Sequence, residues 1–232
     1  VARVVAIDLD GTMVDTAPDF HAAINQMRAQ FGKGPLSQDL IETFVGRGSE
    51  HLVRCALAHD HGELEVEALF PAALAAYQDA YGSVNGVLSS VYPGVREGLA
   101  RLEHAGLKLA CVTNKPHRFA VELLRKTELL KAFELVLGGD SVRQKKPAPE
   151  PFHAVCQFFG VAPADVTAIG DSINDVLAAR AAGCTSVTVS YGYNHGSDVR
   201  QLDTDAIVDS LLEAAVWIEG RHSGTTPAHE AS

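Results

Sequence analysis

The sequence predicts an α/β fold: a doubly wound, mostly parallel sheet carrying one inserted helical module. Three observations predict it. Short β-rich apolar runs alternate with amphipathic stretches over most of the chain. The alternation stops between residues 17 and 87, where the apolar period is helical throughout. Acidic, hydroxyl and amide residues gather directly after several of the apolar runs.

The strands are expected at 4–8, 107–113, 134–138, 166–170, 185–190 and 206–208. They are near-continuous apolar runs, as strands buried on both faces are. Between them, Val95, Leu99 and Leu102 share one helical face, with Gly106 as the stop. Helices are also expected at 151–159 and 175–182. In the inserted segment, Phe20, Ala23, Ile24, Met27 and Phe31 form one stripe. Val66, Leu69, Phe70, Leu74, Tyr77 and Tyr81 form a second, and shorter helices start near Ser37 and Gly48. Both stripes read as packing faces. The expected division is a Rossmann-like core over 1–16 and 88–220, a helical module over 17–87, and a flexible polar tail over 221–232. Residues 15–18 and 82–90 would be the linkers.

Composition narrows the function. At 47% hydrophobic and 21% charged, the 232-residue chain has ample material for a core, and disorder is excluded. With 19 basic and 29 acidic residues the formal charge is −10, so no nucleic-acid partner is expected. No apolar run approaches the ~18 residues of a membrane helix, so no membrane partner is expected either. Cys55, Cys111, Cys156 and Cys184 are too scattered for a zinc site or a disulfide framework. The opening Val1-Ala2-Arg3-Val4-Val5 reads as a strand rather than a signal peptide, so a cytoplasmic location is the default expectation. The apolar stripes suit a monomer or a homodimer equally.

In a parallel sheet, all strand carboxyl ends lie along one edge, where ligands bind at a topological switch point. That edge would gather Asp8-Leu9-Asp10-Gly11-Thr12, Thr113-Asn114, Lys145-Lys146-Pro147, and Gly170-Asp171 with Asp175. Clustered carboxylates repel unless a cation intervenes, and Mg²⁺ suits a few carboxylates, water and a phosphate oxygen. A lysine and N–H donors around it would suit a phosphoryl group. Asp8 and Asp10, two apart on an extended strand end, would point to the same side. One could attack phosphorus while the other handles the leaving group's proton. Taken singly, each piece has a plainer reading. Asp8-to-Thr12 can be an Asx turn, Thr113-Asn114 a turn, Lys146 a solvated lysine with Lys145 as its rival, and Asp171 and Asp175 helix caps.

Together and in this order, these pieces resemble the four signature motifs of the haloacid dehalogenase superfamily in its phosphatase form. The helical insertion resembles that superfamily's α-helical cap. The resemblance implies that Asp8 is a nucleophile forming an aspartyl-phosphate and that Asp10 is general acid and then general base. It implies that Asp8, the Asp10 backbone carbonyl and Asp171 hold Mg²⁺, and that Thr113, Asn114 and Lys146 hold the phosphoryl oxygens. Asp175 would support the metal or Lys146 from behind. Two further pieces, Phe44-Val45-Gly46-Arg47-Gly48 and Tyr191-Gly192-Tyr193-Asn194-His195-Gly196, resemble the phosphoglycolate phosphatase branch. Arg47 would then meet a substrate carboxylate, or be a surface arginine of the cap, and the three rings after Ser190 would pack a loop.

The expectation is an Mg²⁺-dependent phosphatase of a small phosphorylated metabolite, with 2-phosphoglycolate as first candidate. Alternatives are a sugar-phosphate phosphatase acting on a substrate such as N-acetylmuramic acid 6-phosphate, a phosphoglucomutase-type enzyme, and a regulatory protein that binds a phosphometabolite without turning it over.

Overall fold

A computed structural model describes residues 2–222. Six strands form one sheet in the order β5-β4-β1-β6-β7-β8, and every neighbouring pair is parallel. They are β1 (Val4–Ile7), β4 (Lys108–Val112), β5 (Leu135–Leu137), β6 (Val166–Gly170), β7 (Thr185–Val189) and β8 (Ala206–Val208). The order reverses at β1. The chain leaves it towards β4 and β5, then returns to its other side with β6. Whatever follows β1 therefore stands at the switch point.

Alternate residues of the central strands face two different cores. Val5 and Ile7 of β1, with Leu109 and Cys111 of β4, join the core under α5 (Val95–His104), α6 (His117–Lys126) and α9 (Leu211–His222). Val4, Ala6, Ala110, Val112 and Ala168 face α7 (Glu150–Phe159) and α8 (Ile173–Ala182). That second face is rich in alanine on both sides, with Ala178, Ala179 and Ala182 on α8, so the helix packs close to the sheet. The sequence reading singled out neither α6 nor α9. α7 and α8 begin one and two residues before the expected starts, α8 with the capping box of Ser172 and Asp175.

The inserted segment folds as α1 (Ala17–Gln30), α2 (Gln38–Glu42), α3 (Ser49–Ala58) and α4 (Glu63–Val84). Pro18 opens α1, where a missing N–H costs nothing. Ser37 caps α2 by accepting from the Leu40 amide. Phe20, Ala23, Ile24 and Met27 are buried against Tyr77 and Tyr81 of α4, while Phe31, Leu69, Phe70 and Leu74 are only partly covered. Phe20, Tyr81 and Phe119 of α6 form a chain of ring contacts at 5.3 and 5.0 Å. Phe119 is the one core-helix residue in this second cluster.

The crossings between sheet and helices differ from the expected loops. α4 runs on through Gly82 to Val84. Val14–Asp15 (β2) then pairs antiparallel with Ser90–Val91 (β3), so both crossings share a short ribbon. Two-residue strands carry too little periodicity to be read from sequence. Asp19, fully buried, accepts from the backbone amides of Gly86 and Leu88 at 2.7 and 2.8 Å, which ties the returning chain to the first turn of α1. Of the tail expected at 221–232, Arg221 and His222 close α9; residues 223–232 lie outside the described residues.

Candidate active site

β1 delivers Asp8 and Asp10 to the switch point, and a tight turn follows. The Gly11 amide donates to the Val14 carbonyl, and the Met13 and Val14 amides donate to that of Leu9. Gly11 has φ +82°, and a β-carbon there would collide with the Asp171 carboxylate. Gly192 has the same role from the other side: any side chain on it would run into Asp171. Two glycines thus let the β1 and β7 loops close over one carboxylate.

Asp8, Asp171 and Asp175 are buried and offer oxygens that all lie within 4.8 Å of one another. Lys146 enters among them. Its Nζ lies 2.5 Å from Asp175 Oδ1, 3.0 Å from Asp8 Oδ1 and 2.7 Å from the Val112 carbonyl. Lys146, not Lys145, is therefore the lysine facing the carboxylates; Lys145 lines an outer groove. Asp171 accepts from Thr12 Oγ1 at 3.2 Å and from the Tyr193 amide at 2.7 Å. Asp175 accepts on its other oxygen from the amide and hydroxyl of Ser172, completing a capping box at the start of α8. The capping reading of Asp175 and its place beside the lysine hold together.

The charges do not balance. Three carboxylates against one lysine leave −3 + 1 = −2. Burial lifts the Asp8 carboxyl to about 7, with Lys146 pulling the other way and Asp175 and Asp10 adding to the rise. Burial also pushes Asp171 well up, helped by Asp175 and Asp8. Burial opposes charge on Lys146, but Asp175 and Asp8 outweigh it and hold its pKa above the ordinary lysine value. Asp8 Oδ1 is buried without a hydrogen bond, its contact with Lys146 being an ion pair of poor hydrogen-bond geometry. A hard divalent cation fits this donor set: it would satisfy the bare oxygen and cancel the excess charge. Asp8 carries the bare oxygen, and Asp171 and Asp175 each offer one more within reach of the same point.

The Asp10 carboxylate is not one of these three. Its Oδ1 accepts from Thr16 Oγ1 and from Lys115 Nζ, each at 2.8 Å. Lys115 is buried and was not singled out from the sequence, where it is one more lysine after a strand. Its Nζ sits 4.4 Å from the Phe20 ring centre and 4.8 Å from that of Tyr81. The available signal was its position, one residue past Thr113-Asn114 at a sheet edge.

Thr113 and Asn114 border the same cavity as Asp8 and Asp10, a space of about 30 Å³ roofed by α1, α3 and α4. Asn114 Nδ2 donates to the carbonyls of Gly46 and Lys146 at 2.9 and 2.8 Å. Asn174 Nδ2 also reaches the Gly46 carbonyl, at 3.3 Å. Arg47 is not in the cavity. It is exposed and lines the outer groove of about 750 Å³ with Lys145, Arg118 and Arg143. Tyr193 does more than pack a loop: its hydroxyl accepts from the Thr16 and Ala17 amides and donates to Asp15, stapling the β7 loop to the start of α1.

The sequence profile of the haloacid dehalogenase-like hydrolases matches residues 2–183. A phosphoglycolate phosphatase of Thiobacillus denitrificans is 46% identical over 219 residues, covering 93% of this chain and 95% of the relative. One from Nitrosospira multiformis is 46% identical over 218 residues, covering 94% and 96%. The crystal structure of a predicted phosphoglycolate phosphatase from Haemophilus somnus superposes with TM-score 0.89 at 32% identity, covering 94% of this chain and 98% of that one. With carboxylates converging at the sheet's switch point and relatives matched over nearly their whole length, this chain belongs to the haloacid dehalogenase-like hydrolase family and is a phosphatase.

Proposed function

We propose that the protein is a magnesium-dependent phosphatase that hydrolyses 2-phosphoglycolate to glycolate and phosphate, with residues 17–87 serving as a cap over the core. The observation that carries this reading is a pair of charged centres under one roof: Asp8 with Asp171, Asp175 and Lys146, and Asp10 with Lys115. The names of the relatives supply the substrate.

Asp8 attacks phosphorus through a carboxylate oxygen, and the bond from phosphorus to the glycolate oxygen breaks. Asp10 gives that oxygen its proton. Asp10 then takes a proton from water, the water oxygen bonds to phosphorus, and the Asp8 acyl-phosphate bond breaks to release phosphate and free Asp8. The covalent step divides one hard displacement into two easier ones. Lys146 offsets charge on the phosphoryl oxygens, and Thr113 donates to them from its hydroxyl and Asn114 from its backbone N–H, its side-chain amide being held by the Gly46 and Lys146 carbonyls. Mg²⁺, held by Asp8, Asp171 and the Asp10 carbonyl, would supply the remaining countercharge. Asp175 keeps Lys146 in place. The roof excludes water from the acyl-phosphate, and the small cavity requires the cap to open for substrate entry.

No described helix is long and apolar enough to cross a membrane. The four cysteines are free, as a cytoplasmic monomer or homodimer would have them.

The test is phosphate release from 2-phosphoglycolate, N-acetylmuramic acid 6-phosphate and glucose 1-phosphate, with Mg²⁺ and with EDTA. The expected result is release from 2-phosphoglycolate above the others, lost with EDTA. Release only from amino-sugar phosphates, or transfer of phosphate between sugar hydroxyls, would replace this substrate with the corresponding alternative.

A further inference from the structure

We propose that Lys115, with the hydroxyls of Tyr81 and Tyr77, forms a subsite for a carboxylate at the non-reacting end of the substrate. The assignment rests on the phosphatase reading and names the groups that select its substrate.

The cavity runs from Asp8 and Thr113 towards the helical roof, where Phe20, Val45, Leu52, Tyr77 and Tyr81 make its walls. Among the described residues Lys115 is the one cationic side chain lining it. Arg47, the residue expected from sequence to meet such a group, stands outside on the exposed rim. Lys115 is only 4% exposed. An ammonium carries three donors, and the bond to Asp10 uses one. The faces of Phe20 and Tyr81 hold the charge in place without accepting a conventional hydrogen bond.

Two further hydroxyl donors belong to residues that line the same cavity. The Tyr81 hydroxyl is buried without a hydrogen-bond partner. The Tyr77 hydroxyl is equally buried, with Ser49 close but poorly aligned for a bond. A buried hydroxyl left unpaired is unfavourable, so a bound acceptor is worth more here than at a solvated site. The group that matches an ammonium and two hydroxyl donors is anionic and accepts only, which describes a carboxylate. The apolar walls and small volume fit a short linker between it and the phosphoryl group. A substrate ending in a methyl group would leave the donors unpaired, which is how a site built to bond a polar group rejects its apolar analogue.

The experiment compares kcat/KM for 2-phosphoglycolate and ethyl phosphate, which differ by a carboxylate against a methyl group. Wild type is expected to favour the carboxylated substrate by on the order of 10- to 100-fold, the range of a buried charged hydrogen bond. Lys115→Met slows both substrates, since Asp10 loses its partner, so the ratio is the readout, and it is expected to collapse towards one. Tyr81→Phe keeps volume and charge and is expected to lower the ratio several-fold; it decides the question if Lys115→Met does not fold. A wild type that shows no preference overturns both this subsite and the 2-phosphoglycolate reading. A wild-type preference that persists in both variants overturns the subsite alone and leaves the substrate reading standing.

Discussion

Asp8→Asn should make the metal-free protein more resistant to alkaline pH while removing its turnover. Burial lifts Asp8 to about 7 against the pull of Lys146, whereas an unfolded aspartate titrates at about 3.9. The folded state therefore binds this proton more tightly than the unfolded chain does. Its favourable contribution is complete below the unfolded value and is lost as pH rises from about 4 through about 7. At about 1.36 kcal/mol per pH unit, the gap amounts to roughly 4 kcal/mol by pH 8, of which roughly 2–3 kcal/mol is lost between pH 5 and 8. In a chain of this length, about 1 kcal/mol moves Tm by about 2–4 °C. Thermal melts in EDTA should thus show wild type losing about 5–10 °C more than Asp8→Asn between pH 5 and 8. Added Mg²⁺ should restore wild type at pH 8, because a metal binds the ionised carboxylates. At one hundred times Kd its effect would be about 2.7 kcal/mol. Parallel pH profiles for the two proteins in EDTA would refute the reasoning, because Asp8 would then not be the strained acid of the cluster.

Three other perturbations follow from the same contacts. Lys146→Met leaves Asp8 and Asp175 without their cation, costs about 3–5 kcal/mol, and should lower Tm by more than about 6 °C at pH 8 without metal, read by circular dichroism. Gly192→Ala drives a methyl group into Asp171, so calorimetric titration should find Mg²⁺ binding weakened at least about tenfold; unchanged affinity would remove Asp171 from the ligand set. Tyr193→Phe strips the acceptor from the Thr16 amide and leaves Ala17 only its longer bond to Asp15, costs about 1–3 kcal/mol, and should speed hydrogen exchange at Thr16 ahead of the rest of α1.

Much of this site was legible because a parallel sheet puts its strand ends on one edge. Asp8, Thr113, Lys146 and Asp171 lie far apart in sequence, yet a topology read from apolar runs predicted their meeting. The choice between Lys145 and Lys146 needed the structure. Adjacent residues in a loop carry no period to say which one turns inward, and here the Val112 carbonyl and Asp175 take the Lys146 ammonium. Lys115 was invisible for a different reason. Its importance comes from Phe20 and Tyr81, which reach it only through tertiary packing of a segment remote in sequence. Asp19 and Tyr193 are similar cases, polar groups whose partners are backbone amides elsewhere in the chain. Arg47 shows the converse. A motif placed it near the substrate, but the turn at Gly46 and Gly48, with φ +104° and +87°, leaves it on the rim.

The paired crossings of β2 and β3, cinched by Asp19, limit how the roof can move. Were the four helices to turn against the core, that one narrow ribbon would be their axis. Rotation about that axis displaces each part in proportion to its distance from the ribbon. The Gly46 carbonyl, gripped by Asn114 and Asn174, is the catch that such a swing must release.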